Sequence, residues 1–185
     1  MKKAKDSRGF SLVEVLIAFS IILVIAAIAT PNIVRSLRAY RVGAVSTDVA
    51  NIIQRTRFEA IRRNVITTAR AQVAGNQVQV WIDYNRNQQV DANEPFILLP
   101  ADMAFLDQGQ VPPPNSMGYA NTRLIQGQIS FDAKGTVDFN GAAPAVLLCY
   151  VGNPNDPSSG YRAVAVLPAG KTRIWRASGA NGYWY

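Results

Sequence analysis

The 185-residue sequence contains no histidine and a single cysteine. Without histidine there is no Ser-His-Asp or Cys-His catalysis and no His-ligated zinc. Cys149 alone makes neither an intrachain disulfide nor a cysteine-cluster metal site. Catalysis would have to run on carboxylates, Lys or Tyr, so the composition speaks against an enzyme. The length suits one soluble domain, or two only if both are small.

Acids are scarce outside the middle of the chain. The formal net charge is +7. Lys2, Lys3, Lys5 and Arg8 face only Asp6, and eight Arg between 35 and 70 face only Asp48 and Glu59. Residues 71–161 are acidic on balance, whereas Arg162, Lys171, Arg173 and Arg176 follow with no acid. A basic balance of this kind suits nucleic acid or a membrane surface, or simply a solvated helix face and a basic leader.

The long apolar run lies at the amino end. Residues Phe10 to Ala29 follow the basic segment and are long enough to cross the ~30 Å hydrocarbon core as a helix. Basic residues before the run predict an inside amino terminus and an outside body. One reading is an ordinary secretory signal cut after Ala29, with Ala27-Ile28-Ala29 as the small-residue site. That reading gives Glu14 no purpose, although an acid within a spanning helix costs about 2.5–3.5 kcal/mol.

The second reading gives it one. Arg8-Gly9-Phe10-Ser11-Leu12-Val13-Glu14 resembles the class III prepilin leader of type IV pilins and type II secretion pseudopilins. The resemblance implies cleavage after Gly9 by a prepilin peptidase and N-methylation of Phe10 by the same membrane enzyme. It also implies retention of the apolar segment as anchor and then filament core. Glu14 stands where the family keeps an acid, and Pro31 where it often has a helix-kinking Pro. Cleavage would create a cationic amine on Phe10. A staggered neighbour's amine beside Glu14 would relieve both buried charges and fix axial register.

Beyond Pro31, Ile33, Leu37, Tyr40, Ala44, Val49, Ile52, Ile53, Ala60 and Ile61 recur mainly at three- and four-residue spacings, with Arg over much of the remaining surface. This predicts an amphipathic helix to about Asn64, with a kink or local opening at Pro31. The period then changes. Short strands are predicted at 65–71, 77–82, 95–99, 103–106, 128–131, 136–139, 145–151, 161–167 and 172–175, separated by Gly, Asn, Asp and Pro turns. Residues 108–121, with three consecutive prolines at 112–114, read as a surface loop.

The expected fold is α+β: a long N-terminal α-helix packed against a C-terminal antiparallel β head of two sheets. The expected segments are a leader over 1–9, a membrane or filament-core half-helix over 10–31, an amphipathic half over 32–64 and a head over 65–185. This order resembles the GspH/FimT family of minor pilins and pseudopilins. With one cysteine, the major-pilin disulfide loop is absent. The resemblance implies a structural subunit, not an enzyme. It would sit in the bacterial inner membrane with its head in the periplasm and assemble with other pilins into a secretion pseudopilus or a type IV pilus.

Two motifs in the head carry further chemistry. Asp83, Asn85, Asn87, Asp91 and Glu94 place oxygens at positions 1, 3, 5, 9 and 12 of an EF-hand-like calcium loop. Gln88 stands where such a loop has Gly, and strand-like sequence flanks it, so a polar hairpin turn without metal is the plainer reading. No cofactor is expected, with calcium as the alternative. Lys171, Arg173 and Trp175 would share a strand face, with Arg176 beside them. The segment Gly170 to Arg176 resembles the Gly-Arg-x-Arg motif of DNA-binding FimT-type pilins, with Lys171 replacing the first Arg; a solvated strand face is the plainer reading. Asp132 and Asp138 flank a turn and raise the remote alternative of a carboxylate hydrolase. Cys149, in an apolar strand, reads as inert core.

Overall fold

The computed structural model describes residues 11–177 and 182–185. A 52-residue helix α1, Leu12–Arg63, opens the chain. Residues up to Leu37 form one compact unit and residues Arg38–Tyr185 a second.

In the first unit, every described residue except Ala29 is exposed. Leu16, Ile17, Phe19, Ile21, Ile22, Leu23, Val24 and Ile25 are each more than half exposed. Three polar side chains fold back onto the backbone: Ser20 Oγ donates to Leu16 O (2.8 Å), Thr30 Oγ1 to Ala26 O (2.7 Å) and Asn32 Nδ2 to Ile28 O (3.4 Å). A helix that satisfies its own polar groups in this way suits an apolar solvent. Pro31 lies inside α1, which continues through it as helix. The local opening expected there is not observed; Thr30 and Asn32 occupy the carbonyls on either side of the one that Pro31 cannot serve.

In the second unit, α1 buries Val42, Val45, Ser46, Val49, Ala50, Ile52, Ile53, Thr56 and Ala60. This corrects the sequence reading of the apolar face. Val49, Ile52, Ile53 and Ala60 belong to it, but Tyr40 is 74% and Ile61 43% exposed, and Ala44 is exposed. Ile33 and Leu37, in the first unit, are exposed as well. At 100° per residue Tyr40 points away from the Val45–Val49 stripe, and Val42 and Val45 take the places assigned to Tyr40 and Ala44. The two buried hydroxyls are satisfied internally, Ser46 on Val42 O and Thr56 on Ile52 O.

Two sheets follow. The first has order β3-β2-β1-β6, all antiparallel, from β1 (Thr67–Ala74), β2 (Gln77–Asp83), β3 (Phe96–Leu98) and β6 (Gln128–Phe131). The second has order β4-β7-β8-β9, from β4 (Ala104–Leu106), β7 (Val146–Gly152), β8 (Tyr161–Val166) and β9 (Thr172–Ala177). A further strand, β5 (Thr122–Leu124), pairs with β7 in parallel. It is absent from the sequence reading, and it is the one parallel pair among the described residues. The strand expected at 136–139 shrinks to a single bridge, Phe131 to Val137.

The main core is formed by the α1 face, β1, β2, β6 and the helix-facing residues of β7 and β8, including Ile82, Phe131, Val151, Val164 and Val166, none more than 1% exposed. Cys149 lies in it as a free thiol, and burial pushes its pKa up to about 12, so it is inert core. A second core covers the other face of the second sheet: Leu106, Leu148, Tyr150, Ala163 and Ala165. The supposed surface loop at 108–121 supplies Val111 and Met117 to this core, correcting that expectation. Trp184 closes it. Its ring stacks on Tyr150 at 5.5 Å and 22°, and its Nε1 donates to Pro112 O at 3.0 Å.

Candidate functional site

Three regions hold the residues singled out from sequence. Gly9 and Phe10 lie outside the described residues. Glu14 is exposed in the first turn of α1, where the positive end of the helix dipole favours a carboxylate. It is the only acid between Ser11 and Leu37, and Pro31 lies farther along the same helix.

The second region is the connection between β2 and β3. Asp83, the last residue of β2, has no solvent exposure. Its Oδ2 accepts from Arg70 Nε (2.6 Å) and from the Gln88 N–H (3.1 Å), while its Oδ1 has no partner. Arg70 reaches it because β1 and β2 pair antiparallel with Arg70 opposite Trp81 and Thr68 opposite Asp83. Arg70 Nη1 also donates to Gln128 Oε1 on β6. This ion pair, with its acid fully buried, was not read from the sequence; Arg70 as the one charged residue of β1 was its signal. Glu94 is 5% exposed, its two oxygens accepting the N–H of Tyr84 (2.6 Å) and of Asp91 (3.2 Å). Asp91 Oδ2 accepts from Asn85 Nδ2 (2.6 Å) and Asn87 Nδ2 (2.9 Å). All five oxygen-bearing side chains picked out by spacing therefore belong to one hydrogen-bonded loop.

The third region is β9. Arg173 lies opposite Ala165 and Trp175 opposite Ala163, on the sheet face of the second core. Lys171 precedes the strand, and its carbonyl accepts the Leu167 N–H. Lys171 and Arg173 are exposed and make no ion pair among the described residues. Trp175 is not a free platform. Its Nε1 donates to Tyr119 Oη (3.3 Å), and the two rings meet edge to face at 5.9 Å. Arg176 belongs to the opposite face, across from Arg162. Burial, then the nearby charge of Arg176, lowers the Arg162 pKa, and its guanidinium donates to the Ala39 and Tyr161 carbonyls. The four residues proposed for DNA thus divide between two faces.

Asp132 and Asp138 each close a separate turn. Asp132 accepts from the Lys134 N–H, the Thr136 N–H and the Thr136 hydroxyl, and Asp138 accepts from the Asn140 N–H. Burial alone would raise the Asp132 pKa, but the hydrogen bonds from Thr136 and Lys134 outweigh it and hold the carboxyl below its usual value. Both carboxylates are accounted for as turn acceptors.

The family model of the prokaryotic N-terminal methylation motif matches residues 4–30. That of the type II transport protein GspH matches residues 46–170, from the buried face of α1 to the turn before β9. Among curated proteins, none matches. Two crystal forms of the type IV minor pilin FimU from Pseudomonas aeruginosa are similar at 11% and 12% identity. They cover 71% and 72% of this chain and 90% and 87% of theirs, each with a TM-score of 0.49. With the GspH model spanning well over half of its residues and the methylation motif at its amino end, the chain belongs to the GspH family and is a pilin-like subunit of a pilus or pseudopilus.

Proposed function

We propose that this chain is a minor subunit of a type II secretion pseudopilus, built into the fibre through its amino-terminal helix. The observation that carries the proposal is the apolar stretch of α1: long enough to cross a membrane, without a buried residue in its most apolar window, and bearing one acid, Glu14. Exposed apolar surface of that extent needs lipid or sister helices to cover it. In this reading a prepilin peptidase cuts after Gly9 on the cytoplasmic side and methylates Phe10. The subunit waits in the inner membrane with its head in the periplasm. On assembly its helix exchanges lipid for the helices of other pseudopilins, and Glu14 accepts a neighbour's terminal amine. The secretion pseudopilus is taken first because the family that the head matches is described as a type II transport protein; a type IV pilus is the alternative fibre. DNA uptake has less support, since Trp175 is engaged by Tyr119 and Arg176 faces away from Lys171 and Arg173.

Deletion of the gene in its native host, with complementation, tests this. Loss of secreted proteins from the medium, restored by the wild-type chain, is expected. Normal secretion with loss of surface pili would overturn it. So would a salt-dependent DNA shift by the protein that disappears in Lys171→Ala/Arg173→Ala.

A further inference from the structure

The geometry points to a calcium site in the loop from Asp83 to Glu94. Five side-chain oxygen donors stand at positions 1, 3, 5, 9 and 12 of a twelve-residue loop, and Gln89 at position 7 offers the backbone carbonyl that such loops use. The sequence raised two objections: strands in place of flanking helices, which β2 and β3 bear out, and Gln88 in place of the turn glycine. The structure answers the second: Gln88 adopts φ +67°, the left-handed conformation that the glycine normally supplies, and its N–H donates to Asp83 Oδ2.

A second observation is independent of the spacing. Asp83 is fully buried, yet its Oδ1 has no hydrogen-bond partner, although its other oxygen is bound into the loop by Gln88. Native proteins rarely leave a buried acceptor unserved, and an unserved carboxylate oxygen is more costly than a neutral one. Arg70 meets only the Oδ2 side. Oδ1 is left as the carboxylate's one open ligand position.

The chemistry of the donors selects the ion. They are hard oxygens, with no histidine in the chain and Cys149 buried in the main core, which disfavours zinc and copper. Three carboxylates, Asp83, Asp91 and Glu94, stand beside Arg70 and Arg86, and Arg63, already paired with Glu59, lies over the Tyr84 ring. Among the described residues no three acidic or thiol side chains converge closely enough to hold a metal by themselves. An ion there would need the Asn85 and Asn87 amides as well. Their Nδ2 groups point at Asp91 Oδ2, while their Oδ1 atoms accept the Asn87 and Gln89 N–H groups, so turning each amide toward the ion would exchange those two turn bonds for metal ligation. A flexible loop with this mixture of ligands suits calcium over magnesium, which demands a rigid octahedron. Because the loop joins β2 to β3, binding would order one end of the first sheet whatever fibre the subunit enters.

The full chain in detergent micelles tests the site. Terbium, a calcium substitute, should luminesce on binding, sensitised by Tyr84 and Trp81, and calcium should displace it with a midpoint of about 0.1–1 mM, the range of weak extracellular sites. Calcium should raise the melting temperature, and magnesium much less. Asp91→Asn, which keeps the Asn85 and Asn87 contacts, should fold normally without calcium and need at least about tenfold more of it for the same shift, and Glu94→Gln should remove the response. The inference fails if neither terbium nor calcium gives a response up to about 10 mM, ten times the weakest affinity expected. It fails equally if Asp91→Asn and Glu94→Gln respond as the unmodified chain does.

Discussion

Glu14→Leu is expected to leave the subunit in the membrane and out of the fibre. Leu removes the one acid from the apolar part of α1 and spares the helix part of the about 2.5–3.5 kcal/mol that an acid costs at a spanning helix's centre, so the anchor itself should not weaken. What disappears is the acceptor for the amine freed on a neighbour's Phe10, which would then enter the helix bundle unpaired. Removing one partner of a buried pair typically costs about 3–5 kcal/mol. Even a third of that would reduce incorporation about tenfold. Immunoblots of membrane and sheared-fibre fractions provide the measurement: membrane levels equal to wild type, with fibre levels at least about tenfold lower. Glu14→Asp, which keeps the charge, should recover part of the loss. Equal incorporation of the Leu variant would remove the register role assigned to Glu14.

The second large effect is expected at Gly170→Ala, and it concerns the fold. Gly170 has φ +79°, a conformation that an L side chain adopts only with strain. A Cβ there would lie 2.3 Å from Gly135 O and 2.6 Å from Arg57 Nε. Neither side yields easily. The Gly170 N–H donates to Leu167 O, its carbonyl accepts from Gln54 Nε2, and Gly135 O accepts from Arg57 Nε at 2.8 Å. Strain and overpacking together should cost about 2–4 kcal/mol. For a chain of this length that lowers the melting temperature by roughly 5–15 °C. Gly109→Ala is the control: no atom lies within 4 Å of its Cβ and its φ is not positive, so a change within about 0.5 kcal/mol is expected. If Gly170→Ala melts with wild type, the junction between this turn and α1 is looser than described. The glycine that opens the basic segment thus has a backbone reason to be there, apart from any ligand of Lys171 or Arg173.

The elements legible in the sequence are those whose signal is local. The apolar run and the Val49–Ile53 spacing give α1, and alternation on either side of Gly75-Asn76 gives the β1–β2 hairpin. What escaped depends on distant partners. Strand β5 has three residues and exists because β7, far along the chain, offers a parallel edge. Residues 136–139 alternate like a strand, yet only Val137 finds a partner. The prolines at 112–114 disguised the burial of Val111 and Met117, which depends on Trp184 arriving from the carboxyl end. On the helix, Tyr40 and Ala44 fitted a three-and-four spacing but lie off the phase set by Val42, Val45 and Val49. The oxygen donors of the β2–β3 loop were legible from spacing. The burial of Asp83 was not, because strand register brings Arg70 to it, and neither was the left-handed turn at Gln88, since sequence offers glycine as its usual sign.

Mass spectrometry of the mature amino terminus, taken from the native host, tests the central claim most directly. A chain that begins at N-methylated Phe10 and keeps Glu14 and the whole apolar helix is the predicted result. A chain that begins at Thr30 would have discarded the segment through which the subunit is held to join its fibre, and would contradict the assembly role proposed for it.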